Sequence, residues 1–430
     1  MDKNVVITGS GIVSAIGNNK QQCYASLVEG RGGIAPVRYL HTTHTEYPVG
    51  EVKMSNGEMA ELLGLKSGEG YSRTELMGII ALKEALEEAQ LKDVRAAFVS
   101  GTTVGGMDMT EQSYPNNLTP ELLDRHDCGA STNRIADYFG VFDFTSTIST
   151  ACSSATNAII FGARLIQSGM RDVVVVGGSE SLTRFHLNGF KSLMILDEEV
   201  CKPFDVARKG LNLGEGAAYL VLESEVFARR RGAKILARYE GGGNACDAFH
   251  QTASSPDGEG AFLAMGEALH EAGLMPKDIQ YVNAHGTGTP NNDASESAAL
   301  RRVFDDALPA VSSTKGFTGH TTSASGSIES VFCLLSLQHR FVPQNLNWQK
   351  SDEECIVPVH GALADGVSRS MEKSEEHDGC PVLNHVMCNG FGFGGNDSTV
   401  ILGRFEPEKT CEQRVRIKMR KSIWRIKYMS

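Results

Sequence analysis

The chain has 430 residues, 41% of them hydrophobic, ten cysteines and a formal net charge of −11. That apolar content builds one large core or two to three ordinary ones, which excludes a disordered chain. The acidic balance lacks the basic field that general nucleic-acid binding needs. The charge is uneven: residues 406–430 hold eight Lys or Arg against three Glu, a net of +5, which leaves −16 on the preceding 405 residues. This basic tail reads as a solvated extension, or as a docking arm for an acidic partner or a membrane. Met1-Asp2-Lys3-Asn4 and the short apolar run after it are not a secretory signal, and no stretch reaches membrane-spanning length. A cytoplasmic location is expected. The cysteines form no CxxC pair or compact ladder, and His41 and His44 have no further ligand nearby, so neither a metal site nor a disulfide framework is expected.

In chain order, Val5–Thr8 predicts a short buried strand followed by a turn at Gly9-Ser10-Gly11. That turn lacks the third glycine and the distant acid of a dinucleotide site. Thr74–Ala89 predicts a helix and Ala96–Ser100 a strand running into Gly101–Gly106. Ser146–Ala155 then leads into a helical repeat of Ala155, Ala158, Ile159, Gly162, Leu165 and Ile166 that ends near Gly169, with Ser149 and Thr150 as capping types. Cys152 therefore falls at a strand-to-helix turn, where the helix dipole and free N–H groups favour a thiolate and can cradle an oxyanion. A buried cysteine packed as a small hydrophobe fits the same pattern. Asp172–Gly178 predicts a strand covered on both faces, completing a strand-helix-strand crossover, and Ala217–Glu223 a further strand. A second start follows: strand Lys234–Tyr239, a turn at Gly241–Gly243, helix Gly260–Gly273 and strand Gln280–Asn283. The echo of the first layout suggests an internal duplication in an α/β fold. Strand Pro309–Ser312, a glycine-rich loop Cys388–Gly395 and strand Ser398–Gly403 complete the reading.

Polar groups concentrate on the loops after these strands, where ligands bind in parallel sheets. Ala284-His285-Gly286-Thr287-Gly288-Thr289-Pro290 follows one, and Thr314-Lys315-Gly316-Phe317-Thr318-Gly319-His320 follows another. Two such histidines, a lysine and a cysteine at a helix start suit an acylated thiol, with two neutral imidazoles stabilising the enolate of a second thioester. Gly390–Gly395 matches GxGxxG by letter but leads into a strand, so it is expected to complete an oxyanion hole, with a Phe ring as gate, and not to bind nucleotide. Ser312-Ser313-Thr314-Lys315 matches SxxK, but its serine sits at a strand end and not at a helix start.

Thr150-Ala151-Cys152-Ser153-Ser154, Asn283–Pro290, Lys315 with Thr318-Gly319-His320, and Phe391-Gly392-Phe393-Gly394-Gly395 resemble the four active-site motifs of the β-ketoacyl-acyl-carrier-protein synthases, in the elongating Cys-His-His branch. The similarity runs from about residue 3 to 405, with further resemblance at Val5–Gly17, Lys202–Asp205, Gly214–Gly216 and Arg231–Lys234. It implies a thiolase-like fold of two similar halves, 1–232 and 233–405, with mixed sheets and buried helices in layers, followed by the tail 406–430. It implies no metal or nucleotide cofactor, substrates carried on the phosphopantetheine of acyl carrier protein, and a homodimer or a heterodimer with a related subunit. Cys152 becomes the acyl-accepting nucleophile, with the N–H groups of Cys152 and Phe393 as its oxyanion hole. His285 and His320 promote malonyl decarboxylation, and Lys315 with Glu329 tunes His320. Thr252, Thr287 and Thr289 match contacts to the phosphopantetheine arm, Val104 and Phe190 line the acyl pocket, and Phe393, next to Phe391, forms the gate. Asn292-Asp293, Ser323 and Lys209-Gly210-Leu211 depart from the family pattern and point to a specialised pathway of polyene or polyketide type. The other readings are a non-catalytic subunit that sets chain length, and a thiolase using Cys388.

Overall fold

The computed structural model describes residues 4–66, 70–91, 95–361 and 383–405. The tail 406–430 lies outside them.

Ten strands are formed among the described residues: β1 (Val5–Ser14), β2 (Ala96–Gly101), β3 (Phe142–Ile148), β4 (Val173–Glu180), β5 (Gly216–Ser224), β6 (Ala237–Cys246), β7 (Tyr281–Asn283), β8 (Ala310–Ser312), β9 (His385–Gly392) and β10 (Asn396–Arg404). They join in the order β3-β2-β4-β5-β1-β6-β10-β9-β7-β8. Read outward from the centre, β1-β5-β4-β2-β3 on one side matches β6-β10-β9-β7-β8 on the other. The pairing senses match too: two antiparallel pairs near the centre, then two parallel pairs at each edge. The seam is a short antiparallel contact of Val5–Ile7 with Ala237–Tyr239. The duplication that sequence identity carries only faintly is explicit in this topology.

Both expected glycine turns prove to be strand interior. β1 runs straight through Gly9 and Gly11, and β6 through Gly241, Gly242 and Gly243. The glycines are there for close approach. A Cβ on Gly9 or Gly11 would sit 2.3 or 2.0 Å from the carbonyl oxygens of Ala85 or Ala81, in the Arg73–Ala89 helix. On Gly241 or Gly243 it would meet those of Ala268 or Ala264 at 2.6 or 2.1 Å, in the Glu259–Ala272 helix. Alternate residues share one face of a strand, so Gly-x-Gly makes a bare lane on which a helix backbone lies directly. The Arg73–Ala89 helix is started by a reciprocal capping box: Glu75 N–H donates to Ser72 Oγ (3.1 Å) and Ser72 N–H to Glu75 Oε2 (2.8 Å).

Between the two half-sheets lie the Ser154–Gln167 and Ser325–His339 helices. The second is buried along its first thirteen residues, as a helix packed on all sides must be. The two touch at Gly326, where a Cβ would stand 2.0 Å from Thr156 Oγ1. Each is the central helix of its half. One is fed by β3 through Cys152, the other by β8 through Lys315 and His320, so the pseudo-symmetry brings the two feeding turns together.

Candidate active site

Cys152, 5% exposed, sits in the turn between β3 and its helix. The preceding Ala151 takes a left-handed φ of 51°, a sharp reversal for a residue with a Cβ. The turn is fastened by Ser154 Oγ to Ala151 O (2.6 Å), Ser153 Oγ to Thr150 O (2.7 Å) and Ser153 Oγ to Asn396 Oδ1 (2.8 Å). The expected caps are not used. Ser153 is the N-cap residue, and no side chain caps the helix.

His320 Nε2 lies 3.0 Å from Cys152 Sγ, and its Nδ1 lies 3.1 Å from Ser325 Oγ. A hydroxyl both donates and accepts, so Ser325 supports either imidazole tautomer. The His285 ring stands 5.2 Å from that of His320, nearly perpendicular at 85°. Its loop is held from below by two acids of the Pro290–Phe304 helix. Glu296 accepts the N–H groups of His285 (2.9 Å) and Gly286 (2.7 Å), while Asp293 Oδ1 accepts those of Thr287 (3.0 Å) and Gly288 (3.2 Å). His285 Nδ1 is buried without a hydrogen-bond partner among the described residues. Lys315, 1% exposed, pairs with Glu329 through Nζ and Oε1 at 2.6 Å.

Burial, the largest effect, and the Lys315 charge both hold His285 and His320 well below the ordinary imidazole range, so both rings are neutral. Burial also pushes the Cys152 thiol up to about 12, against the lowering effects of the Lys315 charge and the Phe393 N–H. This corrects the thiolate expected from helix position alone: desolvation outweighs the dipole, and the resting group is a thiol facing a neutral base. Burial likewise raises the Glu329 carboxyl to about 7, against the pull of Lys315.

A cavity of about 320 Å³ opens onto the thiol and the two imidazoles but not onto Lys315 or Glu329. Cys152, His285 and His320 line it together with Thr252, Thr287, Thr289, Phe190, Phe391 and Phe393. The Thr287 and Thr289 hydroxyls are 2.9 Å apart, and the Phe393 ring stacks on Phe190 with centroids 5.6 Å apart. Val104 is buried after β2 and is not among the residues lining this cavity. The glycine-rich loop is shorter than expected. Cys388–Gly392 belongs to β9, leaving only Phe393–Gly395 to turn the chain. Sequence reasoning missed Ser325, Glu296 and Asn396. Glu296 had a readable signal: an acid two turns into a helix whose start, Pro290, follows the histidine loop directly.

His44 Nδ1 faces Glu46 (3.1 Å) and Lys191 Nζ (3.0 Å), and no group of three metal-ligating side chains occurs among the described residues. The eight cysteines among the described residues are unpaired, and no helix among those residues is long and apolar enough to cross a membrane.

Comparison with known proteins agrees with this geometry. The family model "Beta-ketoacyl synthase, N-terminal domain" matches residues 2–228, and "Beta-ketoacyl synthase, C-terminal domain" matches residues 236–349. A 3-oxoacyl-[acyl-carrier-protein] synthase 2 of Staphylococcus aureus (strain COL) is 33% identical, over 94% of this chain and 99% of that protein. The solved ishigamide ketosynthase/chain length factor is similar with a TM-score of 0.85 and 29% identity, covering 94% of this chain and 100% of that one. The ketosynthase ApeO in complex with its chain length factor ApeC, from Xenorhabdus doucetiae, gives a TM-score of 0.77 and 30% identity, covering 94% and 98%. The chain has the thiolase-like fold and belongs to the β-ketoacyl synthase family of acyltransferases.

Proposed function

We propose that the protein is a 3-oxoacyl-[acyl-carrier-protein] synthase that condenses an acyl group held on Cys152 with malonyl-acyl carrier protein. The observation that carries this reading is the contact of His320 Nε2 with Cys152 Sγ at 3.0 Å, with the His285 ring beside it in one cavity. In the first half-reaction the Cys152 thiol gives its proton to His320 as the sulfur attacks the incoming thioester. The carrier thiol leaves with that proton. The N–H groups of Cys152 and Phe393 hold the oxyanion, each donor supplying roughly 3 kcal/mol. In the second, malonyl-carrier protein loses carbon dioxide, and the neutral imidazoles of His285 and His320 donate hydrogen bonds to its thioester oxygen as the enolate forms. The enolate carbon attacks the acyl carbonyl, the carbon–sulfur bond to Cys152 breaks, and the released thiolate takes up a proton. Lys315, paired with Glu329, keeps the imidazoles neutral. Thr252, Thr287 and Thr289 receive the phosphopantetheine arm, Phe190 borders the acyl chain, and Phe393, backed by Phe391, is the gate.

The reaction needs no metal or nucleotide. The substrates arrive on separate carrier proteins in the cytoplasm. The repeat in the sheet order supports two halves divided at 232 and 233. The free edge of β3, with Phe144 37% exposed, supports a second subunit there, either a copy of this chain or a related one. Similarity to ketosynthases solved with chain length factors supports a specialised pathway. A non-catalytic chain-length subunit is the second reading, but such a subunit has no use for the assembled Cys152, His285 and His320. The test is reconstitution with acyl- and malonyl-carrier protein, comparing the wild type with Cys152→Ala. A variant that still condenses contradicts the mechanism.

A further inference from the structure

The Phe393–Gly395 loop is tied to a second loop, Asp247–Ser255, which contributes Thr252, Ala253 and Ser254 to the cavity wall. Gly394 N–H donates to Gln251 O (2.8 Å), and Asp247 N–H to Gly395 O (3.2 Å). At this joint the Asp247 carboxylate accepts the N–H groups of Phe249 and Ser255, each at 3.1 Å. Gly395 leaves no room for a side chain, since a Cβ there would sit 2.1 Å from Asp247 Oδ1. Asp397, two residues beyond the loop in β10, is 5% exposed. Its Oδ2 and the Cβ of Asp247 both crowd Gly260, at 2.4 and 2.9 Å from where a Cβ would stand. Among the described residues, no hydrogen bond and no Lys or Arg reaches the Asp397 carboxyl. The charged groups acting on it are Asp247 from the second loop and Glu296 from the Pro290–Phe304 helix. From β6, Ala245 lies opposite Asp397 and the neutral Asn244 amide reaches the Asp397 backbone oxygen (3.4 Å), while the His250 ring in the second loop accepts the Thr252 N–H (3.1 Å). A buried carboxyl with acidic neighbours and no cation is unfavourable when ionised.

We propose that Asp247 and Asp397 are a carboxyl pair that shares one proton and latches the two loops together, making Asp397 a positioning residue for the Phe393 N–H over Cys152. With the proton present, the Asp397 O–H is able to donate to Asp247 and the loops stay closed. With both groups ionised, their repulsion opens the joint. Burial, then Asp247 and Glu296, raise the Asp397 carboxyl from its ordinary 3.8 to about 7. The closed joint therefore keeps its full stability below about pH 4 and loses it progressively as the pH rises to about 7. The inference rests on the role given above to the Phe393 N–H.

Hydrogen exchange at the Gly394 and Asp247 amides tests it without any need for turnover, so its outcome is separable from that of the condensation assay. Each rate is divided by the intrinsic rate at the same pH. In the wild type, protection should fall about tenfold or more between pH 5.5 and 7.5. In Asp397→Asn, which keeps the shape and a donor without a titrating proton, it should change less than about twofold, and Asp247→Asn, which leaves Asp397 buried, should weaken the dependence without abolishing it. A flat wild-type profile, or the wild-type dependence surviving in both variants, overturns the proposal.

Discussion

At the scale of the residue, reactivity is set by what burial does to each charged form. Cys152 rests as a thiol because burial disfavours its charged form, and His320 can receive its proton because burial and the Lys315 charge keep that ring neutral. Lys315 is itself tolerable in the interior only through Glu329, at 2.6 Å. Removing one member of a buried pair strands the other, which typically costs about 3–5 kcal/mol, whereas removing both is often close to neutral. Lys315→Met should therefore lower the unfolding free energy by about that amount in a denaturant titration, and Lys315→Met/Glu329→Met should recover most of it. The double variant should also raise the basicity of both imidazoles and move the acid limb of the condensation pH profile upward, because the Lys315 charge no longer opposes their protonation. Equal instability in the two variants contradicts the pairing.

At the scale of the element, the two central helices matter more than any single loop, since one begins beside Cys152 and the other just beyond His320. Their approach depends on Gly326, where an added Cβ would meet Thr156 at Oγ1 (2.0 Å) and at the backbone N (2.8 Å). The Thr156 side chain can turn away from such an intruder; its backbone cannot. Gly326→Val should cost about 3 kcal/mol or more by overpacking and reduce acylation of Cys152, read by mass spectrometry of the intact protein. Wild-type stability and acylation would show that the helices are free to slide apart. The same reasoning explains which elements the sequence declared. Helix Arg73–Ala89 and strand β4 follow from periodicity and a continuous valine run. Gly9-Ser10-Gly11 and Gly241–Gly243 misled because glycine marks both a turn and a bare lane for a helix backbone, and only the helix packed against the strand distinguishes the two.

At the scale of the whole molecule, the mirrored sheet order brings residues more than a hundred positions apart, Cys152 and His320, to 3.0 Å. Cys152, His285, Lys315 and His320 were legible because each stands at a strand end in a short, chemically distinctive run. Ser325, Asn396 and the proposed Asp247–Asp397 pair were not, because their significance depends on which neighbours the fold places beside them. Val104 shows the converse: the resemblance assigned it to the acyl pocket, while this chain's cavity stops short of it. The unpaired β3 edge belongs to this scale as well. For the proposed second copy of this chain at that edge, Phe144→Lys should shift the protein from dimer to monomer in size-exclusion chromatography, as a charge on an exposed edge opposes strand pairing. An unchanged elution position contradicts a β3-edge subunit.

The central claim is that Cys152 carries the acyl group while His285 and His320 serve the enolate. Mass spectrometry of the protein and of the carrier, after acyl-carrier protein and then malonyl-carrier protein are added, tests this most directly. The wild type should show acyl-Cys152 that disappears as 3-ketoacyl-carrier protein forms. Cys152→Ala should show neither species, and His285→Ala should accumulate acyl-Cys152 with little product. Product from Cys152→Ala, or normal condensation by His285→Ala, would contradict the account.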